Sequence, residues 1–154
     1  MKKIATLFAA AFVGVSAFAQ QALWGGPQVE SPVLNADGTV TFRYLAPKAV
    51  KVTVSGDFLP TRKIQTPYGE FDAPGVAELK EGQNGVWEYT TDFKPAPEMY
   101  SYTFNVDGLN LIDNNNIWVN RDIASMTSTF IVPGGRADLY KVQDVPHGTV
   151  SKVW

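Results

Sequence analysis

The sequence predicts an all-β fold, an antiparallel β-sandwich of about seven short strands. One segment shows the pattern most clearly, because Tyr100, Tyr102 and Phe104 alternate with polar residues. That period of two is typical of a strand with one buried face. Turn residues separate the segments of this kind, and no convincing helical pattern follows residue 19. A small β-barrel is the alternative that the pattern leaves open.

The strands follow from alternation and from the turns that bound them. In chain order they are a short one near Val29 and those over residues 39–45, 50–55, 85–93, 100–106, 109–112 and 128–132. The turn Asp107-Gly108 suits the positive φ angles of a tight hairpin. Residues 59–84 carry Gly and Pro with little periodicity, which indicates a long loop. The apolar faces predict one shared core made of Val52, Val54, Trp87, Tyr89, Tyr102 and Phe104.

Residues 1–19 are typical of a signal peptide. Two lysines precede the apolar run over residues 4–15, and Ala17–Ala19 fits a cleavage site. The run is shorter than the roughly 20 residues that a membrane-spanning helix needs. We therefore expect a periplasmic or secreted protein that begins at Gln20, without a membrane anchor after cleavage.

Composition excludes several function classes. The formal net charge is −2, and loss of the two signal-peptide lysines makes the chain more acidic. Nucleic-acid binding calls for a basic patch, so no nucleic-acid partner is expected. The chain has no cysteine, so its stability depends on a core and not on disulfides.

Three motifs in a fixed order carry a family resemblance. They are residues 52–58 (VTVSGDF), 85–89 (GVWEY) and 100–108 (YSYTFNVDG), with Asp113 soon after. This order resembles the early-set, immunoglobulin-like modules of carbohydrate-binding module family 48, over residues 20–135. Such modules occur in starch-branching enzymes, in the β subunit of AMP-activated kinase, and before the catalytic domain of family 1 carbohydrate esterases.

The esterase branch is the most similar. Asn120–Ser125 and Ala137–Trp154 look like the end of such a module and its lead into an α/β-hydrolase domain. The resemblance implies that residues 136–154 connect to a missing esterase domain in cis, whose reaction is hydrolysis of feruloyl or acetyl esters of xylan. The alternative is that Thr149–Trp154 forms an edge strand of the same sandwich.

The chain departs from glycogen-binding members at two positions. Those members place a tryptophan after the Gly-x-Phe turn and another after Val-Asp-Gly, where this sequence has Leu59–Arg62 and Leu109-Asn110. We therefore expect little binding to starch or glycogen, and at most modest binding to a xylan-type polysaccharide.

Catalysis by this chain alone is not expected. The sequence has no Gly-x-Ser-x-Gly elbow. Its one histidine, His147, therefore has no serine nucleophile to activate as a general base. Residues 113–116 (DNNN) offer oxygens, but calcium usually takes several carboxylates, so turns between side chains and backbone are favoured there. No metal and no cofactor are predicted.

The candidate binding residues are polar or aromatic residues outside the strand pattern. They are Tyr68 and Phe71 in the long loop, Asn115 and Trp118 after the hairpin, and Trp154 in the connector. Aromatic faces of this kind stack on sugars or pack against another domain. Packing against a neighbouring domain is favoured, and Trp24 is open to the same two interpretations. The remaining hypotheses are an autonomous polysaccharide-binding domain and a structural or protein-interaction domain.

Overall fold

The computed structural model describes residues 29–142, together with residues 144, 146, 148, 149 and 151. The expectations for the signal peptide, Trp24, His147 and Trp154 lie outside these residues, so they remain predictions. Within the described part of the chain, no helix has the length and apolar character needed to cross a bilayer.

Two β-sheets form the body of the molecule. Twelve strands occur in the described residues: β1 (Val33–Leu34), β2 (Val40–Leu45), β3 (Val52–Gly56), β4 (Arg62–Thr66), β5 (Gly69–Ala73), β6 (Gly75–Glu78), β7 (Lys80–Glu81), β8 (Val86–Thr90), β9 (Met99–Val106), β10 (Leu109–Leu111), β11 (Val119–Arg121) and β12 (Met126–Ile131). The smaller sheet has the order β1-β2-β8-β7, and the larger has the order β11-β12-β9-β3-β6, with β10 also paired to β9. Every pairing of neighbours is antiparallel, which makes this an immunoglobulin-like sandwich and confirms the predicted fold class.

The core lies between the two sheets and is rich in aromatic rings. Phe42 of β2 contacts Phe58, Tyr102 and Phe130, at centroid distances of 4.7, 5.0 and 5.5 Å. Of the six residues predicted for the core, five are buried, and Tyr89 is half-buried and packs against them. The period-two pattern therefore identified the buried face correctly.

The predicted hairpin turn is confirmed. Asp107 and Gly108 join β9 to β10 with φ angles of 49° and 94°, the left-handed region in which Asp and Gly are tolerated. The Asp107 carboxylate also accepts the amide of Lys51 at 2.8 Å and the amide of Val50 at 3.0 Å. The turn thereby fixes the start of β3 against the end of β9.

The predicted long loop over residues 59–84 is wrong. It contains a separate hairpin, β4–β5, followed by β6 and β7. The Lys63 ammonium of β4 lies 2.9 Å from the Asp72 carboxylate and 3.5 Å from the Glu70 carboxylate, both on β5. The two strands are therefore linked by charged cross-strand pairs. Because these strands lack alternating apolar residues, a pattern based on one buried face does not predict them.

Other strand boundaries also differ from the prediction. The opening strand is Val33–Leu34 and not a segment near Val29, and β11 was not predicted. Strand β8 ends at Thr90, because the Thr91 hydroxyl donates to the carbonyl of Phe93 and accepts the amide of Val40. The chain leaves the sandwich through a 3₁₀ segment, Gly135–Tyr140, anchored by the fully buried Ala137.

Candidate binding groove

An apolar groove of about 610 Å³ opens at one end of the larger sheet, beside β1. Its floor is formed by Leu34, Met99 and Ile131, which are between 36% and 42% exposed. Its walls are formed by Ile117, Trp118 and Tyr140, which are between 54% and 85% exposed. Met99 and Ile131 are paired across β9 and β12, so strand register places the two floor residues side by side.

The loop that carries Trp118 is built from successive side-chain turns. One Asp113 carboxylate oxygen accepts the amide of Asn115 at 2.9 Å, and the Asn116 side-chain oxygen accepts the amide of Trp118 at 2.9 Å. The Trp118 carbonyl in turn accepts the amide of Thr129 at 2.9 Å. The backbone of Trp118 is therefore held by a hydrogen bond at its amide and another at its carbonyl. The turns at Asp113 and Asn116 confirm the predicted turns between side chains and backbone.

A buried polar network supports this loop from below. The hydroxyl of Tyr102 donates to Asp113 Oδ2 at 2.8 Å, and the amide of Asp113 donates to the Ser128 hydroxyl at 2.8 Å. Asn116 Nδ2 donates both to the Tyr102 hydroxyl, at 3.0 Å, and to the carbonyl of Thr129, at 2.7 Å. Among the described residues, no buried side-chain nitrogen or oxygen lacks a partner.

The network keeps Tyr102 in its neutral form. Burial raises the pKa of the Tyr102 phenol above its ordinary value of 10.0, and the neighbouring Asp113 charge raises it further. A phenol is protonated at neutral pH even at its ordinary pKa, so this shift extends the hydrogen bond from Tyr102 to Asp113 into the alkaline range. The Asp113 side chain is fully buried, and its two oxygens already accept from Tyr102 and Asn115.

These contacts give Asp113 a structural role in the loop. Across the part of the chain that the structure describes, no three His, Cys, Asp or Glu side chains lie close enough together to hold a metal ion. The residues considered for calcium, Asp113 to Asn116, form turns and the supporting network instead.

The groove lining is mainly apolar, and some of its polar groups are already paired. Asn116 and the main chain of Thr129 take part in the contacts above, and the Ser31 hydroxyl accepts the amide of Arg43 at 3.1 Å. Within the described residues, the polar side chains that line the groove without a hydrogen-bond partner are those of Glu30, Asn115, Trp118, Thr129 and Tyr140. Because the lining is mainly apolar, this surface suits an apolar contact, with a few polar groups available at its edge.

The structure brings two of the predicted residues together. Asn115 and Trp118 both line the groove, whereas Tyr68 and Phe71 lie on the β4–β5 hairpin. Tyr68, at the hairpin turn, is 90% exposed, and Phe71, paired with Ile64, is 50% exposed. The predicted residues therefore belong to two separate surfaces.

Five groove residues were not predicted from the sequence. Leu34, Met99 and Ile131 lie at strand ends, Ile117 lies in the loop beside Trp118, and Tyr140 ends the 3₁₀ segment. A signal was present for Tyr140, because Leu139-Tyr140 places two large apolar residues just after Pro133–Gly135, where the last strand was predicted to stop. The floor residues gave no such signal, since each lies within or beside a strand.

Comparison of the sequence with protein-family models and with curated proteins finds no match. Comparison with solved structures finds several that are similar to part of this chain. One is the pullulanase SAP of Group B Streptococcus, with 18% identity, coverage of 70% of this chain and 15% of that chain, and a TM-score of 0.49. Another is the glycogen-degrading pneumococcal virulence factor SpuA, with 19% identity, coverage of 80% and 13%, and a TM-score of 0.49.

A pullulanase from Anoxybacillus sp. LM18-11 is also similar, with 16% identity, coverage of 56% of this chain and 11% of that chain, and a TM-score of 0.35. This chain thus spans only a small part of each of these proteins. Because all three TM-scores lie below 0.5, the fold assignment rests on the strand pairing itself. These structures give the esterase assignment no support, so it enters below only as a proposal.

Proposed function

We propose that this chain is the non-catalytic accessory module of an exported carbohydrate esterase that acts on feruloyl or acetyl esters of xylan. In this proposal the sandwich seats against a catalytic domain that follows in cis. The observation that carries the proposal is the exposed apolar groove at the point where the chain leaves the sandwich, since Tyr140 both ends the 3₁₀ segment and forms a groove wall.

The chemistry of the groove supports contact with protein. Its walls expose Ile117, Trp118 and Tyr140, and contiguous exposed apolar surface marks interaction sites. Aromatic residues are also enriched at the centres of protein interfaces. The mainly apolar lining therefore suits a partner that presents an apolar surface to it.

The position of the groove supports a partner in cis. In this proposal, a domain that follows Tyr140 in the same chain is tethered beside the groove. Tethering makes the contact intramolecular and raises the effective concentration of the partner, so even a modest interface would stay formed. Residues 1–19 have the pattern of a signal peptide, which accords with a parent enzyme that acts outside the cytoplasm.

The hydrolytic step is assigned to the missing domain. The sequence lacks a Gly-x-Ser-x-Gly elbow, and its one histidine lies outside the described residues. The proposed role of this chain is therefore to position the catalytic domain and not to react with the ester.

The experiment begins with the reading frame beyond residue 154. The esterase domain encoded there is expressed separately and titrated with this chain by calorimetry. We expect binding that Trp118→Ala and Tyr140→Ala weaken strongly. Val76→Ala is the matched control, because Val76 is also exposed and apolar but lies on β6, at the opposite edge of the larger sheet.

Two results would contradict the proposal. One is a reading frame that stops after Trp154 or that continues without a serine elbow. The other is binding of an esterase domain that the wall variants leave unchanged.

A second candidate, polysaccharide binding, is favoured by the β4–β5 hairpin. Tyr68 at its turn is almost fully exposed, and a phenol face of this kind can stack on a sugar ring. The hairpin is hydrogen-bonded to neither main sheet, which leaves its tip accessible to a ligand. A Tyr68→Ala comparison on xylan tests this candidate directly.

A further inference from the structure

Two main-chain groups at the floor of the groove face away from the sheet. In an antiparallel ladder, successive residues direct their N–H and C=O alternately to one side of the strand and to the other. The amide of Val132 donates to the carbonyl of Glu98, just before β9, at 2.9 Å. The N–H and C=O of Ile131, one residue earlier on β12, therefore point away from β9 and toward the groove.

The loop that carries Trp118 covers only part of this edge of β12. The amide of Thr129 donates to the carbonyl of Trp118 at 2.9 Å, and Asn116 Nδ2 donates to the carbonyl of Thr129 at 2.7 Å. No described residue bonds to the main chain of Ile131 on the same side. Unpaired N–H and C=O groups at a strand edge are a template for pairing with another strand.

The residues of this edge differ from those of other free edges. Strands β6 and β7 carry charged residues, Glu78 on β6 and Lys80 and Glu81 on β7. Charged side chains at a sheet edge discourage pairing with another chain. Neither β12 nor β1, which contributes Leu34 to the groove, contains a charged residue. The edge at the groove is therefore open to an additional strand.

The surroundings of Ile131 define the strand that fits. Leu34 is paired with the buried Val40, so its side chain faces the larger sheet from across the groove, and it is 42% exposed. An apolar side chain on the inner face of an added strand would cover it. The Glu30 carboxylate lines the groove with no partner among the described residues, so a basic side chain would find an opposite charge there.

We propose that an extended segment of the catalytic domain adds to β12 as a strand, with hydrogen bonds to the N–H and C=O of Ile131. Its inner side chains lie against Leu34, and a basic side chain pairs with Glu30. A helix cannot supply this pairing, because its main-chain groups bond within the helix. The inference rests on the proposed function, since the partner is the domain that the proposal places after residue 154.

The first test is amide hydrogen exchange at Ile131, measured by NMR in this chain alone and in the product of its full reading frame. We expect exchange to slow by at least about tenfold in the longer protein, as one added hydrogen bond would produce. The amide of Val76 is the matched control and should not change. It also faces outward, from the free edge of β6, because the amide of Leu79 donates to the carbonyl of Val52 at 2.9 Å.

The second test separates main-chain pairing from simple coverage of the groove. Ile131→Pro removes the N–H that the added strand would use and no hydrogen bond within the described chain, so circular dichroism should show a folded variant. It should weaken binding of the separately expressed esterase domain at least about tenfold in calorimetry. Ile131→Val, which keeps the N–H, and Val76→Pro, on the other edge, should bind nearly as the unsubstituted chain does. Exchange at Ile131 in the unsubstituted protein decides the question if Ile131→Pro folds poorly.

Failure of this inference is distinguishable from failure of the proposed function. Protection of residues 115–118 and 135–140 with unchanged exchange at Ile131, or full binding by a folded Ile131→Pro variant, would overturn strand addition alone. Equal slowing at Val76 and Ile131 would also overturn it, because the effect would not be specific to the groove. A reading frame without an esterase domain, or identical exchange throughout, would overturn both.

Discussion

Replacing Asp113 with alanine tests the buried network that holds the groove loop in place. The variant removes the acceptor of the Tyr102 hydroxyl and of the Asn115 amide. Tyr102 is 1% exposed, so water cannot replace the lost acceptor. The Asn115 amide lies in an exposed residue, where water can hydrate it.

The magnitude follows from these two environments. A buried donor left without an acceptor costs about 1–3 kcal/mol, and a hydrogen bond that water can replace costs about 0.5–1.5 kcal/mol. We therefore expect Asp113→Ala to lower the free energy of unfolding by about 1.5–4.5 kcal/mol. Amide exchange at Trp118 should also become faster, because the turn that precedes it is lost.

The assay is urea unfolding followed by circular dichroism, with hydrogen exchange at residues 115–118. Asp122→Ala is the matched control, because Asp122 is exposed and its carboxylate accepts only the next amide, that of Ile123. The control should change stability by less than about 0.5 kcal/mol. If Asp113→Ala is as stable as this control, the network does not support the loop and the reasoning is refuted.

Four other outcomes are expected. Trp87→Ala should cost about 3–5 kcal/mol, because the ring is buried and its N–H donates to the Ala46 carbonyl; a loss below about 1 kcal/mol in urea unfolding would contradict this packing. The free energy of unfolding should fall as pH rises above 10.0, because the pKa of Tyr102 is raised in the folded state and the unfolded chain loses the phenol proton first. Unfolding of Tyr102→Phe measured against pH should show a shallower decline, and an equal decline would contradict this. The purified chain should release no ferulate or acetate above buffer, and release would overturn the non-catalytic assignment. Affinity electrophoresis should show little retardation of the protein in glycogen and at most modest retardation in xylan. If the β4–β5 hairpin binds the polysaccharide, Tyr68→Ala should reduce the retardation in xylan. Strong retardation in glycogen would contradict the account.

The sandwich core was readable from the sequence because burial imposes a period of two. Tyr102 and Phe104 alternate with Ser101 and Thr103, and the structure buries the first pair and leaves the second half-exposed. Hairpin β4–β5 could not be found in this way. Its Lys63 pairs with Glu70 and Asp72, and charged alternation resembles that of a solvated loop.

The candidate site was predictable only in part. Trp118 was identified because it lies outside the strand pattern, but Met99 and Ile131 become neighbours only through the register of β9 and β12. The turns after Asp113 follow from local sequence preferences. The hydrogen bond between Asp113 and Tyr102 forms only when the chain between them is folded, and local sequence preferences do not predict that contact.

The most direct test of the central proposal is hydrogen exchange measured on this chain alone and on the product of its full reading frame, in which the proposal places an esterase domain after residue 154. The account predicts added protection at residues 115–118 and 135–140, which include the groove walls, with no change at Val76 on β6. Protection confined to the β4–β5 hairpin, or identical exchange in the two proteins, would contradict the claim that the groove seats a catalytic domain in cis.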